Sequence, residues 1–268
     1  MNKKLLREYI GTILSENRSG SEIAASGADY EKKLVDNLES VGIRTAGVAG
    51  FTSAADVTLI RADGTSFGIE AKTSAQANMG SAGMRYDPQT ETLSVSNPNS
   101  PIGSEVLKIL DTIHSDLSFM SAIKSVYDAG FLQRSAPSIE LVKWRTSTGL
   151  PSQPGRSYRL DNSDLIARHY QAKKSTAEYI QIMGRGLYIM NAEVDPLGLS
   201  ALGAAVLTAP VSISVKIAQK GSSTPEPGKI SKLSMSAKAN ILSGGLQRSG
   251  LDLDNPDDLE RLKIVLGY

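Results

Sequence analysis

Two short apolar runs, Val57-Thr58-Leu59-Ile60 and Ser66-Phe67-Gly68-Ile69, flank an Asp63-Gly64 dipeptide. Glycine enters the left-handed backbone region without a Cβ clash, so Asp-Gly between such runs predicts a β-hairpin. Its register decides what the hairpin carries. A loop of Asp63-Gly64 alone pairs Asp56 with Ala71 and turns Asp56 away from Glu70. A three-residue connection, Ala62-Asp63-Gly64 with Gly64 left-handed, sets Asp56 directly across from Glu70, because a slip of one residue sends every side chain to the other face. Glu70 and Lys72 are two apart on one strand and share a face in both registers. The sequence permits the second register and does not compel it.

In that register two carboxylates and an ammonium group meet on one face. Carboxylate oxygens are the natural ligands of a hard cation, and a neighbouring ammonium can orient a water or stabilise developing negative charge. Composition narrows the chemistry in the same direction. The 268-residue chain has no cysteine, which removes disulfides, thiolate zinc sites and cysteine nucleophiles, and its only histidines are His114 and His169. Carboxylate-bound Mg²⁺ or Mn²⁺ is the metal chemistry left. Aromatic residues make up 5% of the chain, too few for a protein built on stacking platforms for single strands. The competing reading is a solvated cross-strand ion-pair cluster. The apolar character of both runs counts against it.

The spacing of Asp56 and Glu70-Ala71-Lys72 resembles the PD-(D/E)XK nuclease superfamily, which includes restriction endonucleases, Holliday-junction resolvases and phage nucleases. The match runs from Gly27 to Ser74 and includes an upstream helix opening Gly27-Ala28-Asp29-Tyr30-Glu31. It departs from the pattern at Ala55, which stands where the name-giving proline would be. The resemblance implies an α/β (α+β) fold with a restriction-endonuclease-like mixed central sheet flanked by helices. It implies a Mg²⁺-dependent DNA endonuclease in which Mn²⁺ substitutes. Asp56, Glu70 and the Ala71 backbone carbonyl would ligate the metal, Lys72 would be the catalytic lysine, and Glu31 would assist the metal from the helix. The alternative is a non-catalytic nucleic-acid-binding or virion protein that keeps such a fold. The chain is also similar in general look to tailed-phage proteins.

Tyr30, Leu34, Val35, Leu38 and Val41 recur at helical spacing, with Ser26 as the expected N-cap. Glu31 borders their inward face; the competing reading is a surface glutamate favoured by the positive helix N-terminus. Residues 1–16 are expected to form an amphipathic helix, joined by a connector over 17–26 to one domain over 27–268. Within that domain the expected parts are a motif core (27–96), a helical insertion (97–138), a β-rich remainder (139–250) and an acidic tail (251–268). Ala75 to Arg85 reads as loop or short helix and Tyr86 to Ser96 as a hairpin or loop pair. Ser104 caps an expected long helix through Met120, along which His114 is a packed histidine. Ile139 to Trp144 reads as a strand, and Asp161 or Ser163 as the start of a helix holding His169 and Tyr170. A hairpin turns at Gly184-Arg185-Gly186, and two further strands are expected at Val211 to Ala218 and Lys229 to Ser236.

Between Phe131 and Arg185 nine basic residues face four acidic ones, although the whole chain carries a net charge of only +1. A basic middle suits phosphate contacts with duplex or branched DNA, so Arg145, Arg156, Arg159, Lys173, Lys174 and Arg185 are the nucleic-acid-binding candidates. The uncharged stretch from Pro196 to Val215 is too diluted by Gly, Ser, Thr and Pro to span a bilayer. With no secretory signal at Met1, a soluble protein of the cytoplasm or a virion is expected, without a membrane partner. A homodimer is compatible with the chain.

Overall fold

The computed structural model describes residues 20–48, 55–149, 155–173, 177–221 and 227–268. The expected helix over 1–16 lies outside them. Along the chain come α1 (Gly20–Ser40), β1 (Arg44–Val48), β2 (Val57–Ile60), β3 (Ser66–Lys72), β4 (Gly80–Asp87) and β5 (Thr92–Val95). Then follow α2 (Pro101–Lys108), α3 (Leu110–Ser115), α4 (Leu117–Asp128), β6 (Ala136–Pro137), α5 (Ser138–Thr148), β7 (Gly155–Leu160) and α6 (Leu165–Ala172). The chain ends with β8 (Ala177–Ile182), β9 (Gly186–Ile189), β10 (Ala205–Val206), β11 (Val211–Gly221), β12 (Ile230–Ile241) and α7 (Pro256–Val265). The architecture is mixed α/β, and the described residues form two six-stranded sheets.

In the first sheet the order is β1-β2-β3-β8-β9-β10. β1, β2 and β3 form an antiparallel meander, and β8 lies parallel to β3. The β2–β3 register pairs Val57 with Ile69 and Ile60 with Ser66, which places Asp56 across from Glu70. The turn that sets it has three residues: Arg61 donates its N–H to the Thr65 carbonyl at 2.8 Å, and Gly64 stands at φ +90°. Asp63 holds the loop by accepting from the Thr65 N–H at 2.9 Å.

One face of this sheet buries Val57, Leu59, Ile69, Ala71, Tyr179 and Leu187 against Tyr30, Leu34 and Leu38 of α1 and Leu259 and Leu262 of α7. The acidic tail is therefore a structural element. Its Leu251, Leu253 and Leu266 belong to the same core, and the buried Gln181 amide donates to Asp252 at 2.8 Å. The other face presents Ile180 and Ile182 to a second core, shared with α6 and the inner side of the second sheet. Glu70 and Lys72 pair with Ile180 and Ile182, so they look toward this second face, away from α7.

The second sheet is antiparallel, ordered β5-β4-β12-β11-β7, with β6 alongside β12. Its inner positions, Val211, Ile213, Val215, Ile217, Leu233 and Met235, are buried beneath Ile102, Phe119, Ile123 and Leu141 of the flanking helices. No helix among the described residues is long and apolar enough to cross a membrane.

Several local expectations are corrected. Helix α1 already runs at Gly20, so Ser26 lies inside it and is not its N-cap. Residues from Gly80 onward extend as β4 rather than as loop or helix, drawn into the sheet by pairing with β12. The single helix expected from Ser104 is three: Ser100 caps α2 with Pro101 in its first turn, and breaks follow at Ile109 and Asp116. At the second break the Asp116 side chain accepts from the Phe119 N–H at 2.9 Å and caps α4. Ile139 to Trp144 is helical, not extended. Its β-branched and aromatic residues mimic a strand, but packing against β12 and the left-handed Gly149 at the C-terminus close a helix instead. The helix with His169 starts at Leu165 rather than at Asp161 or Ser163. The β8–β9 hairpin stands where the sequence places it, the β11–β12 pair runs a few residues longer than expected, and the hairpin expected over Tyr86 to Ser96 is β4–β5, beginning already at Gly80.

Gly64 and Gly186 test different constraints. A Cβ on Gly64 meets open space, whereas one on Gly186 (φ +100°) would lie 2.6 Å from the Leu251 carbonyl oxygen. Gly64→Ala is expected to cost about 1–2 kcal/mol from backbone strain alone. Gly186→Ala should cost more, because strain and steric overlap add, and denaturant unfolding of both variants measures the difference.

Candidate functional site

Asp56 sits immediately before β2, and its Oδ2 accepts the Ala71 N–H at 2.9 Å. The N–H and C=O of a strand residue project toward the same edge, so the Ala71 carbonyl also looks toward Asp56. The Lys72 ammonium lies 3.9 Å from that Asp56 oxygen and hydrogen bonds to Glu70 Oε1. From α6, the Tyr170 hydroxyl donates to the same Glu70 oxygen at 2.8 Å. Side-chain exposures are 25% for Asp56, 16% for Lys72 and 12% for Glu70, so the cluster is largely dry yet open to solvent on one side. This is not the arrangement of a freely solvated ion pair.

Burial, and after it the Glu70 charge, raises the Asp56 carboxyl above the usual aspartate range. Glu31, half-buried on α1, is raised by burial and then by Asp56, so the helix carboxylate shares the field of the strand pair. Desolvation followed by the Glu70 charge pushes the Tyr170 phenol well above its ordinary value, keeping it a neutral donor. Three carboxylates thus compete for one lysine. Such a surplus of negative charge is what a divalent cation relieves.

The donor set suits a hard cation that retains water. Mg²⁺ is commonly held by one or two carboxylates with several waters completing its shell. Among the described residues no group of three or more His, Asp or Glu side chains is spaced to hold a metal, so Glu31 does not close a three-carboxylate cage with Asp56 and Glu70. The ligands available are those two carboxylates and the Ala71 carbonyl.

The structure scatters the basic candidates. Arg145 is tucked beneath the second sheet, donating to the Gln219 side chain at 3.1 Å, and burial lowers its pKa. Arg156 is committed to Asp116 at 2.6 Å and to Ser118 at 2.7 Å. Both guanidinium groups thus have partners within the fold, Arg145 on α5 and Arg156 on β7. Arg159 is exposed on β7, 3.4 Å from Asp161. Lys173 lies over the Tyr170 ring at 5.7 Å, beside the site. The Gly184-Arg185-Gly186 turn abuts the end of β3, where the Met183 N–H donates to the Lys72 carbonyl at 2.9 Å. Lys174 lies outside the described residues.

Two neighbours were not singled out for the site from sequence, Tyr170 and His169. The only signal was a helical apolar stripe containing a tyrosine, whose hydroxyl needs a partner once buried. His169 is 4% exposed, and its Nε2 has no hydrogen-bond partner among the described residues. It fits because position 80 is glycine: a Cβ there would stand 2.3 Å from Nε2. Burial first, and Lys173 second, push the imidazole down to about 4. His114, by contrast, accepts the Leu93 N–H at 2.8 Å as an ordinary packed side chain.

A histidine with a depressed folded pKa stays neutral in the fold while it protonates in the unfolded chain. Its stabilising effect is complete above the ordinary value of 6.5 and is lost as pH falls toward about 4. His169→Leu should therefore flatten the fall in melting temperature across that window, read by thermal unfolding at stepped pH. An unchanged slope would mean that His169 titrates alike in both states. Comparison with protein-family models, with curated proteins and with solved structures returns no match to this chain.

Proposed function

We propose that this chain is a divalent-metal-dependent endonuclease that hydrolyses DNA phosphodiesters at the Asp56–Glu70–Lys72 cluster. The observation that carries the reading is the β2–β3 register, which sets Asp56 across from Glu70 with Lys72 on the same face. A mixed sheet with α1 against one face and α6 against the other supports the restriction-endonuclease-like fold that the sequence resemblance implies.

Asp56 and Glu70 would hold Mg²⁺ or Mn²⁺ with the Ala71 carbonyl. Bound there, the cation supplies Lewis acidity toward a phosphoryl oxygen and lowers the pKa of a coordinated water. Lys72 is tethered to Glu70 before substrate arrives. With the carboxylates engaged, its ammonium is released to face the phosphate and to stabilise the charge that develops on the non-bridging oxygens. Tyr170 keeps Glu70 oriented through its hydroxyl, and Glu31 adds an acceptor that can orient a water at the rim. Lys173 and Arg185 stand close enough to the site to contact the flanking backbone.

Plasmid nicking in Mg²⁺, Mn²⁺ or EDTA tests the activity. Cleavage is expected with either metal and not in EDTA. Lys72→Ala should lower the rate at least about 100-fold, as loss of a single charge-stabilising donor does elsewhere, while leaving DNA affinity in place. Cleavage by Asp56→Asn, Glu70→Gln and Lys72→Ala at the wild-type rate would place the activity elsewhere, and cleavage of matched RNA alone would change the substrate.

Metal binding has its own readout. The raised Asp56 carboxyl contributes stability that is present below its unfolded pKa and lost as pH rises through its folded value. At neutral pH a bound cation should offset that loss, so Mn²⁺ should raise the melting temperature of the wild type. The increment should vanish in Asp56→Asn and Glu70→Gln, whose amides are poorer ligands for a hard cation.

A further inference from the structure

The inner side of the second sheet is a hydrophobic core, but its outer side is built differently. Outward positions on the central strands are Ser212, Ser214, Lys216, Ala218 and Lys220 on β11, and Lys232, Ser234, Ser236, Lys238 and Asn240 on β12. β7 adds Ser157 and Arg159, and β4 adds Ser81, Gly83 and Arg85. Small residues and hydroxyls keep this surface low; Lys220 and Lys232 stand exposed on it, and Lys216 and Lys238 are partly buried. Six cations meet two carboxylates among the described residues: Asp161, 3.4 Å from Arg159 just past the end of β7, and Asp87, which lies at the far end of β4 and accepts the Gln89 N–H at 2.9 Å.

These charges are not compensated locally. Lys216, Lys220, Lys232 and Lys238 form no ion pair with a described residue, whereas Lys32, Lys33, Lys72, Lys108 and Lys124 do. Lys220 and Lys232 are direct cross-strand partners, an arrangement that destabilises a sheet when both are charged. Lys238, half-buried, is lowered first by burial and then by Lys216 and Lys220. A row of like charges on adjacent strands that no acid relieves is complementary to a polyanion. From Lys232 to Lys238 the row extends about 20 Å at ordinary strand rise, enough to follow several successive phosphates. Its Asn240 end is anchored to the segment that follows Lys72, through bonds from its side-chain amide to the Gln76 and Ala77 carbonyls at 2.7 and 3.2 Å.

We propose that the open face of the second sheet, centred on Lys216, Lys220, Lys232 and Lys238, is a docking surface for the phosphate backbone of duplex DNA. The choice of DNA among polyanions rests on the nuclease reading above; the surface itself does not. The lysines and serines donate to phosphate oxygens and read no bases, so the contact is independent of sequence. It would supply an extended basic path joined through Asn240 to the segment that follows Lys72.

The test is DNA binding in EDTA, where cleavage cannot intervene, followed by fluorescence anisotropy of a labelled duplex across a salt series. The variant replaces all four lysines with glutamine. A control variant carries Lys32→Gln, Lys108→Gln, Lys124→Gln and Lys143→Gln, with the same change of net charge. The four-lysine variant should lose at least about tenfold in affinity, and its slope of log K against log salt should become shallower by roughly 2–4, about 0.9 for each phosphate contact removed. Its melting temperature should be no lower than that of the wild type, because mutual repulsion is removed. Equal losses in the control, an unchanged salt slope, or loss of binding to phosphatidylserine vesicles with DNA affinity intact would each overturn the proposal. Failure of the nuclease reading looks different: no metal-dependent nicking, with DNA binding still dependent on the four lysines.

Discussion

The three-residue turn at Ala62-Asp63-Gly64 is the constraint on which the first sheet depends. Because side chains alternate along a strand, its length decides which set of residues faces α1. With this turn, Val57, Leu59, Ile69 and Ala71 enter the core beneath α1 and α7, and Asp56, Glu70 and Lys72 take the opposite face. A connection one residue shorter would shift the pairing and separate Asp56 from Glu70. The apolar pattern and the polar cluster are two consequences of one backbone choice, and each reinforces it. Burying Ile69 and Ala71 fixes the side on which Glu70 and Lys72 stand.

The polar groups around the cluster are held from several elements. β8 lies parallel to β3, and the irregularity in their pairing at Gly68 frees an N–H that the Glu178 carboxylate accepts at 2.8 Å. Helix α6 brings Tyr170 to Glu70, and the glycine at position 80 admits the neighbouring His169 against β4. On the opposite face, Gln181 joins Tyr30, Asp252 and the Leu253 N–H in a buried network that ties the C-terminal segment to the sheet. Buried polar groups of this kind are costly unless every partner is present. Of the C-terminal acids, Asp252, Asp254 and Asp258 serve this packing, while Asp257 and Glu260 are exposed.

Charge is divided between the two sheets. The first gathers carboxylates around a single lysine, and the second spreads lysines over an outer face with two peripheral carboxylates among the described residues, Asp87 and Asp161. A chain with net charge +1 therefore contains a local negative site and a local positive surface, which its total charge conceals. The linear excess of basic residues between Phe131 and Arg185 is dispersed over several elements. Arg145 and Arg156 are consumed by Gln219 and Asp116, while the uncompensated cations come from β11 and β12.

What the sequence determined by itself was local: the Asp-Gly hairpin, the helical stripe of Tyr30, Leu34 and Leu38, the turn at Gly184-Arg185-Gly186, and the spacing of Glu70 and Lys72. These follow from backbone preference and side-chain periodicity, which act over a few residues. The tertiary structure decided what depends on distant partners. It selected the register that opposes Asp56 to Glu70, because only that register buries Val57 and Leu59 on the same face as Ile69 and Ala71 against α1. It made Ile139 to Trp144 helical, since contact with β12 outweighed β-propensity. It brought Tyr170 to Glu70 across 100 residues of chain, and aligned lysines whose alternation becomes a surface only when β11 and β12 pair. Long-range pairing is set by the burial of whole faces, and no short stretch of this chain carries that information alone.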